Sequence, residues 1–181
     1  MRALVRLLLA CVHLLRGYWT VRMRFGALSA PQRAGAVEQW ARQMLRIMGI
    51  ELLVHGVPPS AGPTLLVANH ISWLDILVLH AARHCRFVSK AEVRHWPLIG
   101  VAATGAGTLY VERESRRDAL RVVHHMVEAL RAGDVLAVFP EGTTGDGAGL
   151  LPFHANLFQA ALSAPASVTP LALRFIDTRT G

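Results

Sequence analysis

His70 and Asp75 are the two side chains whose types and spacing could do acid–base chemistry. They follow the apolar run 64–68, which is short enough to be a buried strand, and they precede an apolar segment with helical spacing. This pattern predicts a strand-to-helix junction, where ligands commonly bind in α/β proteins. An imidazole there can accept a proton, and a carboxylate on its other ring nitrogen would fix its tautomer and stabilise the imidazolium. The residues alone equally allow a structural pair, with His70 bonded to backbone and Asp75 favoured by a helix dipole.

No protein nucleophile accompanies this pair in the sequence. A G-x-S-x-G elbow is missing, and neither Cys11 nor Cys85 lies in a recognisable nucleophile motif. We therefore expect His70 to activate a hydroxyl or a water that the substrate brings. No metal site and no cofactor are expected, because the cysteines lack CxxC spacing and because His80 and His84 lack the glutamate of an HExxH motif. We interpret that histidine pair as a surface pair of a helix.

The elements that must position the pair alternate between strand and helix patterns. Apolar runs predict strands at 50–56, 64–68, 86–89, 108–111, 135–139 and 168–176, and helical spacing predicts helices at 73–82, 115–133 and 156–162. This alternation predicts an α/β fold with a largely parallel sheet flanked by helices. At 181 residues the chain is long enough to bury such a core.

The first quarter of the chain holds all of the excess positive charge. Residues 1–46 contain eight arginines and one acid, Glu38, whereas the rest of the chain has equal numbers of bases and acids. On a helix, Arg6, Arg16 and Arg24 fall on one side of a largely apolar surface. This pattern is typical of a helix that lies on an anionic membrane surface, and the alternatives are a simple surface helix and a cleaved signal peptide. No uninterrupted apolar run reaches the length of a spanning helix, about 18 residues.

A second amphipathic helix is predicted directly after the first. Ser29 and Gln32 form a capping-box signature, and Gly49 suits a C-cap. The two helices would form an N-terminal pair, either packed together as a hairpin or laid on the sheet. We assign residues 1–49 to membrane-associating helices and residues 50–181 to the α/β domain.

Four blocks of residues stand in the order found in a known family. The blocks are N-H-x4-D at 69–75, G-T-L-Y-V-E-R at 107–113, F-P-E-G-T at 139–143 and V-T-P-L at 168–171. Each lies at the end or edge of a predicted strand. Over residues 50–176 these blocks, with K-A-E at 90–92, resemble the glycerolipid acyltransferase family, whose best-known members are the lysophosphatidic acid acyltransferases.

The resemblance implies acyl transfer from a thioester donor, acyl-CoA or acyl carrier protein, to the free hydroxyl of a lysolipid. His70 would be the general base and Asp75 its orienting carboxylate, and backbone N–H groups near the junction would stabilise the oxyanion. The substrate-binding residues that the resemblance implies are Arg113, Glu141, Gly142, Thr143 and Lys90. The residues that would shape the pocket are Asn69, Gly107, Pro140 and Pro170.

One departure from the family pattern leaves the acceptor open. Many members that act on phosphate-bearing acceptors have an arginine after F-P-E-G-T, where this chain has Thr144. The first expectation is 1-acyl-glycerol-3-phosphate, which would give phosphatidic acid, and the alternative is a lyso-ornithine lipid. A non-catalytic membrane-binding protein is the alternative of another class, and it does not account for four ordered blocks.

The expected partners are a membrane lipid acceptor, an acyl-CoA or acyl carrier protein, and an anionic membrane surface. We expect a monotopic or peripheral protein on the cytoplasmic face of the inner membrane. Nucleic acid is not expected as a partner, because the excess arginines belong to a strongly apolar helix. The sequence does not indicate the oligomeric state. Chains that resemble this one often continue beyond the position that corresponds to Gly181.

Overall fold

The computed structural model describes residues 2–112 and 116–177. The helices are α1 (Arg2–Arg24), α2 (Ala30–Met48), α3 (Leu74–Ala82), α4 (Ile99–Gly105), α5 (Arg116–Arg131) and α6 (Gln159–Ser163). The strands are β1 (Thr64–Ala68), β2 (Arg86–Lys90), β3 (Leu109–Val111), β4 (Val135–Val138) and β5 (Ser167–Leu171). Short 3₁₀ helices lie at Phe25–Ala27, Ala91–His95 and Ala155–Phe158.

In the described part of the chain, these strands form one parallel sheet in the order β3-β2-β4-β1-β5. Every residue of β1 and β4 is buried, as expected for parallel strands covered on both faces. The predicted fold class is therefore confirmed. Because all strands run the same way, their carboxyl ends meet at one edge of the sheet, and this edge receives the segments that follow β1, β2 and β4.

The two faces of the sheet pack against different helices. Alternate residues of a strand point to opposite faces, so Leu65 and Val67 of β1 join a cluster with α5 and α6. Leu66 and Ala68 face the other way and pack with Leu79 of α3. A further cluster joins α3 to α2, so that α3 lies between the sheet and α2.

The N-terminal helices form a hairpin, one of the two arrangements that the sequence left open, and α2 also covers α3. The Trp40 indole Nε1 donates to the His13 carbonyl at 3.1 Å, and the two rings stack with centroids 5.1 Å apart. A Cβ at Gly17 would lie 2.5 Å from Trp40 Nε1, so a larger residue there would displace the Trp40 ring. The predicted capping box between Ser29 and Gln32 is present at the start of α2. The division of the chain at residue 49 stays a prediction.

The predicted strand at 50–56 is wrong. The Ile50 N–H donates to the Leu45 carbonyl at 2.9 Å, and Ile50 and Leu52 pack against the cluster between α2 and α3. The apolar residues of this segment are therefore used to contact helices rather than to pair with a strand. The last strand ends at Leu171 rather than at 176, and the helix predicted at 156–162 is divided between a 3₁₀ helix and α6.

The interpretation of His80 and His84 as a surface pair is also wrong. His80 is buried because α3 is covered by both the sheet and α2. Its ring stacks on His84 and meets the Phe87 ring edge-on, with centroids 5.1 Å apart. Burial, and secondarily the neighbouring His84, lower the pKa of His80 to about 3. His80 is thus a neutral core residue at physiological pH.

Candidate active site

The backbone after β1 is held in place by the side chain of Asn69. Its amide nitrogen donates to the Leu173 carbonyl at 3.1 Å, and its oxygen accepts the Leu173 N–H at 2.7 Å. These bonds continue the β1–β5 pairing beyond the ends of both strands. Asn69 therefore fixes the point at which the chain leaves the sheet toward His70.

His70 and Asp75 are in direct contact. His70 Nδ1 lies 2.7 Å from Asp75 Oδ2, and the carboxylate is fully buried in the first turn of α3. The same oxygen accepts the N–H groups of Ile71 at 2.6 Å and Ser72 at 2.9 Å. Since a carboxylate only accepts, Nδ1 donates, and Nε2 keeps a lone pair for a proton. The His70 side chain is 18% exposed, so the imidazole is partly open to solvent.

Glu141 ties this junction to the loop that follows β4. Its Oε1 accepts the backbone N–H of His70 at 2.8 Å, and its Oε2 accepts that of Leu151 at 2.8 Å. The side chain is 5% exposed. Glu141 is therefore an internal brace for the site, and both of its oxygens are already engaged.

The N–H groups beside His70 are not available to an oxyanion. Those of Ile71 and Ser72 bond Asp75, and that of His70 itself bonds Glu141. The expectation that backbone donors at this junction stabilise the oxyanion is therefore wrong for these three residues. Their role is to hold the two carboxylates in place.

The turn after β4 requires glycine at position 142. Gly142 has a φ of 72°, and a Cβ there would lie 2.8 Å from His154 Nε2. Pro140 is fully buried inside this turn, and its carbonyl accepts the His154 N–H at 2.8 Å. Thr143, by contrast, is exposed, so its hydroxyl is open to a substrate.

Two residues of the site were not predicted from the sequence. The Phe139 ring stacks on the imidazole of His70 with centroids 3.9 Å apart and planes 10° apart. The N–H of Gly145 donates to the His70 carbonyl at 2.7 Å. Phe139 is the first residue after β4, and β4 pairs with β1. The alternation of side chains along these strands could therefore have indicated Phe139 as a neighbour of His70. The Gly145 contact depends on loop geometry that no local pattern encodes.

The other predicted site residues are more dispersed. Lys90, at the end of β2, has a 63% exposed side chain that lies 4.0 Å from Glu92. Gly107 has a φ of 81° after α4, and its carbonyl accepts from Arg86 Nε at 2.6 Å. Pro170 lies on the edge strand β5, where a missing N–H is tolerated. Arg113 lies outside the described residues.

Apolar side chains are exposed along α1. They include Leu4, Leu7, Leu8, Leu15 and Trp19. With the 3₁₀ helix that follows, the segment Ala3–Ala27 contains an 18-residue stretch with a mean hydropathy of 1.3, and by length and composition it is apolar enough to cross a bilayer. Length and composition therefore allow a spanning helix as well as one that lies on the surface.

Residues 46–174 match the model of the family described as Acyltransferase. This chain belongs to the acyltransferase family. The 1-acyl-sn-glycerol-3-phosphate acyltransferase of Neisseria meningitidis serogroup B is 40% identical over 146 residues, which are 80% of this chain and 57% of the relative. The lyso-ornithine lipid O-acyltransferase of Pseudomonas aeruginosa is 41% identical over 150 residues, 83% of this chain and 57% of the relative. The chain thus spans a little over half the length of these relatives.

A solved structure in the comparison confirms the fold. The crystal structure of the 1-acyl-sn-glycerophosphate acyltransferase PlsC from Thermotoga maritima aligns with a TM-score of 0.69 at 21% identity. The match covers 94% of this chain and 75% of that one. The alignment therefore includes most of the helices as well as the parallel sheet.

Proposed function

We propose that this acyltransferase family member moves a fatty acyl group from a thioester donor to the free hydroxyl of a lysolipid. The observation that carries the proposal is the 2.7 Å contact between His70 Nδ1 and buried Asp75 Oδ2, which leaves Nε2 to accept a proton. The printed names of the relatives, acyltransferases for two kinds of lipid, support the same reaction class.

In the proposed reaction, His70 Nε2 takes the proton of the acceptor hydroxyl while the hydroxyl oxygen attacks the thioester carbonyl. The carboxylate of Asp75 stabilises the imidazolium that forms. The tetrahedral intermediate then expels the thiolate, which recovers the proton from His70, so the products are an ester and a free thiol. This direct attack needs no protein nucleophile. Burial raises the pKa of Cys85 to about 12, so this thiol stays protonated.

Acceptor binding is assigned to the loop after β4 and to two cationic side chains. Thr143 is exposed beside the buried brace formed by Glu141, so we infer that Glu141 acts on the acceptor by holding the loop. Arg113 is proposed to bind an anionic headgroup through its bidentate guanidinium, with Lys90 as a second positive charge.

We propose two candidate acceptor lipids. The first is 1-acyl-glycerol-3-phosphate, after the relative from N. meningitidis, and the second is a lyso-ornithine lipid, after the relative from P. aeruginosa. The second is favoured specifically by Thr144, which supplies no positive charge next to Thr143. Acyl-CoA and acyl carrier protein are both proposed as donors.

The proposed location is the cytoplasmic face of the inner membrane. The exposed apolar side chains of α1 would enter the bilayer, and its arginines would meet anionic headgroups. The lysolipid would then reach His70 without leaving the membrane completely. The thioester donor would arrive from the aqueous side.

The experiment that tests the function is an acyl-transfer assay on the full chain in mixed vesicles. Labelled acyl-CoA or acyl carrier protein is offered with lysophosphatidic acid, lyso-ornithine lipid or lysophosphatidylcholine, and His70→Ala is run in parallel. We expect the rate of acyl transfer to be about 10²- to 10⁴-fold lower in the variant, because the base that acts in the transition state is lost. The preferred lysolipid identifies the acceptor.

Equal rates for the wild type and for a folded His70→Ala variant would contradict the mechanism. Vesicle binding without transfer to any of the acceptors, from either donor, would favour the non-catalytic membrane-binding alternative. Circular dichroism on both proteins establishes that the variant is folded.

A further inference from the structure

The bond to Asp75 fixes the ring plane of the His70 imidazole only in part. The Nδ1 contact limits rotation of the ring about the Cβ–Cγ bond, but it still allows the range of ring planes over which the hydrogen bond persists. The second side-chain torsion of histidine has a broad energy profile, so the backbone does not set the ring plane either. The direction in which Nε2 points therefore depends on what the ring faces.

Phe139 supplies that contact. Its ring lies face to face with the imidazole at 3.9 Å, with only 10° between the planes. The sheet brings the two together, because β4 and β1 are paired with Val138 beside Val67 and because both following segments leave at the same edge. A flat surface at this distance blocks rotation of the imidazole out of its plane.

Phe139 in turn packs against the core. Its ring stacks on Phe87 with centroids 5.7 Å apart and planes 20° apart. Phe87 is 5% exposed and meets the ring of His80 edge-on. The imidazole of His70 is thus the partly exposed end of a row of rings that continues into the core under α3.

The contact also suits the charge that His70 acquires. A cation over an aromatic face is attracted by the ring quadrupole, so the stacked pair is more favourable for the imidazolium than for the neutral imidazole. An interaction that strengthens as the proton moves lowers the barrier rather than merely binding substrate.

We propose that Phe139 is a positioning residue that sets the ring plane of His70 and so aims Nε2 at the acceptor hydroxyl. This inference rests on the proposed role of His70 as general base. Phe139 transfers no proton itself and acts only through its contact with the His70 ring.

The test compares Phe139→Leu, which keeps an apolar side chain but removes the flat ring, with Phe87→Leu, which removes the next ring of the row and leaves His70 untouched. We expect Phe139→Leu to lower kcat about 10- to 100-fold with little change in KM for donor or acceptor, as for a misaligned catalytic group. Phe139→Tyr, which retains the ring, should restore kcat. Phe87→Leu should lower thermal stability more than it lowers kcat.

Nuclear magnetic resonance gives a readout that does not depend on activity. The ring C–H signals of His70, assigned by their loss in His70→Ala, should lie upfield in the wild type because of the Phe139 ring current, and should move downfield in Phe139→Leu. Phe139→Met replaces the leucine variant if that variant does not fold.

Unmoved His70 signals, a loss confined to KM, or equal kcat losses in the Phe139 and Phe87 variants would each overturn the proposal. An active, folded His70→Ala would overturn the general-base function instead. The two failures are therefore distinguishable.

Discussion

At the scale of single residues, Asp75 concentrates its hydrogen bonding on one oxygen. Oδ2 accepts from Ile71, Ser72 and His70, whereas Oδ1 is buried with no hydrogen-bond partner among the described residues. The two backbone N–H groups require an acceptor at the Oδ2 position. An amide placed here would therefore present its oxygen to them and its NH₂ group to the unpartnered side.

Asp75→Asn should accordingly remove the charge while it keeps the contact geometry. We expect kcat to fall about 10²-fold because the imidazolium loses its counter-charge, and KM to change little. The buried, unpaired NH₂ group should also lower the free energy of unfolding by about 1–3 kcal/mol. Steady-state kinetics and urea unfolding measure the two effects, and a variant with wild-type kcat would show that the charge of Asp75 is not used.

At the scale of elements, hydrophobic patterning predicted the strands of the sheet correctly. It wrongly predicted a strand for residues 50–56, which pack against helices. β1 and β4 are unbroken apolar runs because both of their faces are covered. Residues 50–56 have a similar composition, yet Ile50 and Leu52 pack on α2 and α3. Local sequence reports that a side chain will be buried, but it does not report which partner buries it.

Local sequence also does not report which distant residues contact α3 and the candidate site. His70 and Asp75 were predicted together because both lie on one short stretch of sequence. Phe139 and Gly145 reach His70 only through the pairing of β4 with β1 and the path of the loop that follows. The burial of His80 likewise follows from the cover that α2 provides.

His80 should make the stability of the protein depend on pH. Its pKa is lowered from 6.5 to about 3 in the folded protein, so below pH 6.5 the unfolded chain binds a proton that the native chain does not. The free energy of unfolding should therefore decrease as the pH falls from about 6.5 toward 3. His80→Leu removes this contribution, and the loss of stability between pH 7 and pH 4 should be roughly 2–4 kcal/mol smaller than in the wild type.

Urea unfolding at several pH values, followed by far-ultraviolet circular dichroism, checks this expectation. His55→Leu is the matched control, because it makes the same exchange at an exposed histidine outside the core. Parallel profiles for the wild type and His80→Leu would mean that His80 is not a buried neutral histidine in solution.

At the scale of the whole molecule, the apolar side chains of α1 remain uncovered while its other side contacts α2. Replacing Leu8 and Leu15 with Asp should weaken binding to anionic vesicles by at least about 100-fold, since each leucine contributes roughly 1.5–3 kcal/mol when it leaves water. Leu120→Asp is the control, because Leu120 is 72% exposed on α5. Vesicle sedimentation measures the effect, and equal binding of the double variant and the wild type would rule out α1 as the membrane contact.

The brace formed by Glu141 also has an evolutionary consequence. Glu141 and Gly145 hold His70, and Leu151 holds the far end of the loop. Between them, exposed residues such as Thr143 and Thr144 can be exchanged without disturbing the contact between His70 and Asp75. Under the proposed function, a lineage built on this scaffold would change its headgroup preference by mutating a few loop positions and would inherit the His70–Asp75 pair unaltered.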